Sequence, residues 1–61
     1  MKIGYFEGSG NNLWFEPETG EIIETCGGGA SQVVGYAHDL ADAISQPWPG
    51  LVFDTNGEER Y

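Results

Sequence analysis

The sequence predicts a small α+β domain, in which one helix packs on one face of an antiparallel sheet of four to five strands in the order β-β-β-α-β-β. Two observations predict this class. Short β-branched and aromatic segments alternate with turns rich in glycine, proline and asparagine, and one central segment carries apolar residues at helical spacing. Because the chain has only 61 residues, we expect one compact acidic domain over residues 1–61, with a single thin core.

The first half of the chain predicts a meander of three strands. Residues 2–6, 13–16 and 21–25 form the strand segments. A glycine- and asparagine-rich turn separates the first two segments, and Pro17-Glu18-Thr19-Gly20 separates the second from the third. This last turn has proline at a favoured early position, so we expect tight antiparallel connections.

The middle of the chain predicts a helix that follows a glycine-rich connection at residues 26–30. Ser31 is a suitable N-cap residue. The expected apolar stripe repeats at i, i+4, i+7 and i+11, and consists of Val33, Ala37, Leu40 and Ile44. Pro47 cannot continue a helix, so we expect the helix to end before it.

The end of the chain predicts a hairpin. Residues 51–55 form the fourth strand segment, and Asn56-Gly57 is the preferred pair for a type I′ turn. Residues 58–61 would then return as a short edge strand.

Charge is the strongest compositional signal. Ten carboxylates oppose only Lys2 and Arg60, which gives a formal net charge of −8 and a pI near 4.1. Such a surface repels nucleic acid and anionic membranes and attracts basic proteins. The alternative is that the charge only keeps a small protein soluble. We expect a monomer with a basic protein partner, and no direct contact with nucleic acid or membrane.

The sequence offers little that could support catalysis or a bound cofactor. Cys26 and His38 are the only cysteine and the only histidine, and no third group is positioned to complete a nucleophilic pair. His38 and Asp42 have a spacing that can hold zinc on a helix, but structural zinc takes four ligands. No lysine follows the triple glycine as a phosphate loop would require. We expect no enzyme activity, no cofactor and no metal.

Compartment follows from the same features. A single cysteine allows no internal disulfide, and the first residues lack the apolar run of a signal peptide. We therefore expect a cytoplasmic protein.

The carboxylates are the candidate partner-binding residues, and they fall into three groups along the chain. They are Glu16, Glu18, Glu21 and Glu24 in the second and third strands and their turn, Asp39 and Asp42 on the solvent face of the expected helix, and Asp54, Glu58 and Glu59 around the last hairpin. Trp48 lies between two prolines and is a candidate anchor residue for an interface. The alternative for Trp48 is packing over the edge of the sheet.

In its very small size, its single cysteine, its lack of catalytic residues and its acidic α+β character, the chain resembles the phage-encoded anti-CRISPR proteins, in particular small acidic inhibitors of type I-C effector complexes. The resemblance covers the whole chain but includes no diagnostic motif. It implies that the protein occupies a basic, DNA-reading surface on the large subunit or a backbone subunit of Cascade, in the cytoplasm of the bacterial host. The carboxylates would then stand in for phosphates and block recognition of the protospacer-adjacent motif.

A second resemblance implies a different class of function. The order Trp14-Phe15, Gly20, then Gly27-Gly28-Gly29-Ala30-Ser31 and an alanine-rich segment is similar to the antitoxin domain of HicB-like proteins. That family implies a β-β-β-α-β fold that neutralises a small basic RNase toxin. Residues 15–20 are only loosely similar to the proline-containing segment of that family. A third alternative is an acidic adaptor that binds other proteins through its aromatic residues.

Overall fold

Five strands and one short helix make up residues 1–55, the part of the chain that the computed structural model describes. The elements are β1 (Lys2–Phe6), β2 (Asn12–Glu16), β3 (Glu21–Thr25), β4 (Ser31–Tyr36), α1 (Leu40–Ser45) and β5 (Leu51–Phe53). The strands form one sheet in the order β4-β3-β2-β1-β5, and every neighbouring pair is antiparallel. The expected α+β class is confirmed, with a five-stranded antiparallel sheet and one short helix in these residues.

The predicted meander of β1, β2 and β3 is present. The β2–β3 hairpin pairs without interruption from Asn12 opposite Thr25 to Glu16 opposite Glu21. Its turn closes through Gly20, whose N–H donates to the Glu16 carbonyl oxygen at 2.7 Å. Gly20 has a φ of 78°, a left-handed conformation that glycine adopts without steric cost.

The predicted position of the helix is wrong, and so is the element order β-β-β-α-β-β. Residues 31–36 form β4, which pairs with β3, and the observed order is β-β-β-β-α-β. Two β-branched valines followed by Gly35 disfavour a helix, because valine loses χ1 freedom there and glycine loses backbone entropy. The connection after Cys26 is a hairpin loop closed by a 2.9 Å bond from the Cys26 N–H to the Ala30 carbonyl.

The helix begins eight residues later than Ser31 would place it, with Asp39 as its N-cap. The Asp39 side chain accepts the backbone N–H of Asp42 at 2.8 Å, and the Asp42 carboxylate accepts the N–H of His38 at 2.9 Å. This is a reciprocal cap of the capping-box kind. The spacing Asp39-Leu40-Ala41-Asp42 is its sequence signal, whereas the helix predicted from Ser31 places both aspartates in its interior.

The core lies between the sheet and α1. Its fully buried members are Ile3, Leu13, Phe15, Ile22 and Ala43, with Phe6, Ala37, Leu40, Trp48 and Leu51 packed around them. The residues of the expected helical stripe do not share one helix, because Val33 lies on β4, where it is 44% exposed.

The opposite face of the sheet also buries apolar side chains. Trp14 is Cα partner to Ile23, and the two are 5% and 4% exposed. The Trp14 indole N–H donates to the Thr25 hydroxyl at 2.8 Å. Trp14 and Phe15 are therefore both buried, on opposite faces of β2.

The last described strand is shorter than predicted. It comprises Leu51–Phe53 rather than residues 51–55, and it pairs with β1. The predicted turn at Asn56-Gly57 and the strand at 58–61 lie outside the described residues.

Candidate functional site

The antiparallel topology gathers strand ends, and with them carboxylates, at one end of the sheet. The end of β2, the start of β3, the segment after β4 and the end of β5 all lie there. We name this region the acidic end and define it by Glu16, Glu18, Glu21, Asp39, Asp42 and Asp54. None of the six side chains is buried.

The β2–β3 hairpin forms the centre of the acidic end. Glu16 and Glu21 are Cα partners directly opposite each other. Glu16 Oε1 accepts the Glu18 N–H at 3.1 Å, and Glu21 Oε1 accepts the Thr19 hydroxyl at 3.0 Å. These local bonds hold two like charges on neighbouring strands, an arrangement that disfavours folding slightly.

The start of α1 lies beside this hairpin turn. The Ala37 N–H donates to the Gly20 carbonyl at 2.9 Å, which ties the segment after β4 to the turn. A shallow pocket of about 240 Å³ separates the two segments, and it is lined by Thr19, Gly20, Tyr36, Ala37, His38 and Asp42. Asp42 therefore lies across this pocket from Thr19 and Gly20 of the hairpin turn, and Asp39 lies next to it as its capping partner.

Not every candidate carboxylate lies at this end. Glu24 lies at the opposite end of β3 and accepts the Asn11 side-chain N–H at 2.9 Å. Glu7 follows β1 at that same opposite end. Asp54 lies at the acidic end but follows β5, away from the β2–β3 hairpin, and it donates its N–H to the Ile3 carbonyl. Glu58 and Glu59 lie outside the described residues.

Trp48 is half-buried and packs against the core cluster. Its indole N–H donates to the Ala43 carbonyl at 2.8 Å, so its polar group is used within the fold. Trp48 therefore packs over the sheet after the helix, next to Gly35 on β4.

The two reactive side chains considered above lie apart. Cys26 is a free, exposed thiol after β3, whereas exposed His38 lies between β4 and α1, at the other end of the sheet. Within residues 1–55, no three side chains of His, Cys, Asp or Glu are grouped closely enough to hold a metal ion. No helix in the same residues has the length and apolarity to cross a membrane.

The sequence reasoning missed Tyr36 and the free side of β4. Tyr36 is 68% exposed, follows two exposed valines in an edge strand, and lines the pocket next to Asp42. The run Val33-Val34-Gly35-Tyr36 carried the signal, because β-branched and aromatic residues favour strands.

Comparison with known proteins identified no relative: no protein-family model, curated protein or solved structure matches this chain.

Proposed function

We propose that this protein is an acidic inhibitor of the anti-CRISPR kind, which binds the basic, DNA-reading surface of a type I-C Cascade complex and excludes target DNA. It acts as a monomer in the cytoplasm of the bacterial host, by occupying a surface and not by catalysis. The large subunit and the backbone subunit of Cascade are the candidate contact points. The observation that carries the proposal is the gathering of six carboxylates at the acidic end.

Charge density decides whether such a protein can imitate DNA. Averaged over the accessible surface of 3931 Å², the net charge of −8 amounts to one charge per about 490 Å². A DNA duplex carries roughly one phosphate per 100 Å² of its cylinder. An even distribution of charge would therefore be a poor mimic, and the proposal requires clustering.

The acidic end supplies clustering of about the right density. Adjacent strands lie about 4.8 Å apart, so the end of a five-stranded sheet is about 19 Å wide. A duplex of that length carries about 11 phosphates, of which roughly half face any one side. The six carboxylates of the acidic end are comparable in number. Lys2, the one basic side chain among residues 1–55, and the Met1 ammonium lie at the same end at the start of β1 and offset two of these charges.

Charge complementarity at such a surface contributes more to the rate of association and to the choice of partner than to affinity. Individual exposed ion pairs contribute about 0–1 kcal/mol each. A surface of one sign raises the association rate and selects partners of opposite charge. We therefore expect the acidic end to act as a unit, with the aromatic residues near it adding contact area.

The test is a competition assay with two charge-matched variants. Purified type I-C Cascade is incubated with the protein and then challenged with labelled target DNA that carries the protospacer-adjacent motif. We expect DNA binding to be lost and the protein to co-elute with Cascade. The double variant Glu16→Gln/Glu21→Gln removes two charges from the acidic end, and Glu7→Gln/Glu24→Gln removes two from the opposite end.

The first variant should inhibit more weakly than the wild-type protein, and the second should inhibit nearly as well. Equal loss in both variants would assign inhibition to net charge alone. Unimpaired DNA binding without co-elution would refute the proposal. A small basic RNase toxin, the partner that HicB-like antitoxins neutralise, would then be the next protein to test for binding.

A further inference from the structure

Strand β4 is an edge of the sheet with few of the features that usually protect edges. Within the described residues it pairs with β3 on one side and with no strand on the other. Its sequence, Ser-Gln-Val-Val-Gly-Tyr, contains no charged residue and no proline. Natural edge strands are commonly guarded by lysine, proline or a covering segment, because unpaired backbone groups invite another strand.

Two features limit how β4 can pair. The register shifts between Ile22 opposite Gly35 and Ile23 opposite Val33, which leaves Val34 as an extra, bulged residue. A bulge bends the strand and interrupts a continuous ladder. At the other end of β4 the Gln46 side-chain N–H donates to the Tyr36 carbonyl at 2.9 Å, so that backbone acceptor is already used. The edge therefore offers one short pairing stretch, 31–33, which suits one short added segment better than repeated stacking of sheets.

Charge selects the kind of segment that fits there. Glu21 is the cross-strand partner of Tyr36, so the Tyr36 end of the edge has a carboxylate one strand away. The pocket at the Tyr36 end adds the carboxylate of Asp42. A second copy of this chain would bring another net charge of −8 to the same place. An extended segment with arginine or lysine side chains complements it.

We propose that the free edge of β4 receives an extended basic segment of the partner protein, which adds a strand to the sheet and places an arginine or lysine side chain against Tyr36. This inference rests on the proposed function only in taking the partner to be basic. In strand addition, backbone hydrogen bonds supply affinity and alternate side chains supply specificity.

The Tyr36 ring and the carboxylates explain the preference for a cation. A cationic group over the face of an exposed tyrosine gains about 0.5–1 kcal/mol. A residue on the added strand opposite Tyr36 would share its face of the sheet, and Glu21 would lie two strand spacings away, about 10 Å. A long basic side chain lying across Tyr36 can therefore approach the Glu21 carboxylate.

The experiment uses the full chain and a short synthetic peptide of alternating arginine and valine. In the control peptide, which has the same sequence, the backbone nitrogens of consecutive central residues carry N-methyl groups. The charge is unchanged, but neither edge of the extended peptide can pair as a strand. Binding is measured by titration, and hydrogen exchange of the backbone amides is followed by NMR. We expect the first peptide to bind at least about tenfold more tightly and to protect amides within residues 31–36.

Two variants separate the edge from general attraction. Tyr36→Ala should weaken binding of the first peptide about two- to fivefold. Phe53→Ala removes another exposed aromatic side chain, 58% exposed on β5, which is the opposite edge of the sheet within residues 1–55, and should leave binding unchanged.

Equal binding of the two peptides, protection away from β4, or no binding of either would overturn the inference. None of these results decides the competition assay with Cascade, so the proposed function stands or fails separately.

Discussion

The paired carboxylates Glu16 and Glu21 allow the proposed function to be tested by opposite effects on stability and binding. Glu16→Gln keeps the shape of the side chain and an oxygen that can accept the Glu18 N–H, while it removes one of two charges held directly opposite each other. We expect the fold to become slightly more stable and partner binding to become weaker. A residue kept only for solubility would show no such opposition.

The size of the stability gain follows from the register. Directly opposed side chains have Cβ atoms about 4.5–5.5 Å apart, which places the carboxylates roughly 6 Å apart. Two like charges at 6 Å repel by about 0.7 kcal/mol in water, and screening at physiological salt roughly halves this. The expected gain is therefore about 0.3–0.7 kcal/mol, in a domain of this size whose total stability is about 3–9 kcal/mol.

Urea unfolding followed by tryptophan fluorescence measures the first effect, and titration against Cascade measures the second. The stability gain should nearly vanish at about 0.5 M salt, because the screening length shortens. Loss of one surface ion pair should weaken binding about two- to fivefold. Glu7→Gln, at the opposite end, is the control that changes net charge equally. Lower stability of Glu16→Gln, or equal weakening of binding by both variants, would refute the reasoning.

Three further predictions concern the backbone, the helix cap and the rate of association. Gly4→Ala should destabilise the fold by about 1–3 kcal/mol, because its Cβ would collide with the backbone carbonyl of Val52 on β5, whereas Gly8→Ala, with open space around it, should cost little in the same urea unfolding. Asp39→Ala should cost about 1 kcal/mol by removing the helix cap, while Asp39→Asn keeps the cap and should weaken only partner binding; equal stability of the two variants would contradict this role. Rising salt should slow association with Cascade in stopped-flow measurements, and a salt-independent rate would point to the aromatic residues instead.

Local patterns were enough to predict the first three strands. Residues 2–6 and 21–25 form strands with the expected bounds, and the second strand differs by one residue. A tight turn needs a residue that tolerates a positive φ, as Gly20 does, so this hairpin can be predicted from the local sequence. The acidic character is likewise a property of composition, which needs no tertiary structure.

The segment after the glycine run shows where local reasoning failed. Val33, Ala37, Leu40 and Ile44 satisfy helical spacing, yet the chain changes from strand to helix between the first and the third of them. A short apolar run fits either structure, and pairing with β3 decides the outcome through contacts that a local pattern does not contain. The low helix propensity of the valines and the glycine at residues 33–35 was the local evidence against a helix there.

Which carboxylates lie at the same end of the sheet was decided only by the tertiary structure. Glu21 and Glu24 are close in sequence, but three residues along a strand span about 10 Å and end on opposite faces, so they lie at different ends of β3. Asp42 is distant from Glu21 in sequence, yet the bond from the Ala37 N–H to the Gly20 carbonyl brings the start of α1 beside the hairpin turn. The sequence determines how much charge the protein carries, and the antiparallel return of the chain determines where that charge is concentrated.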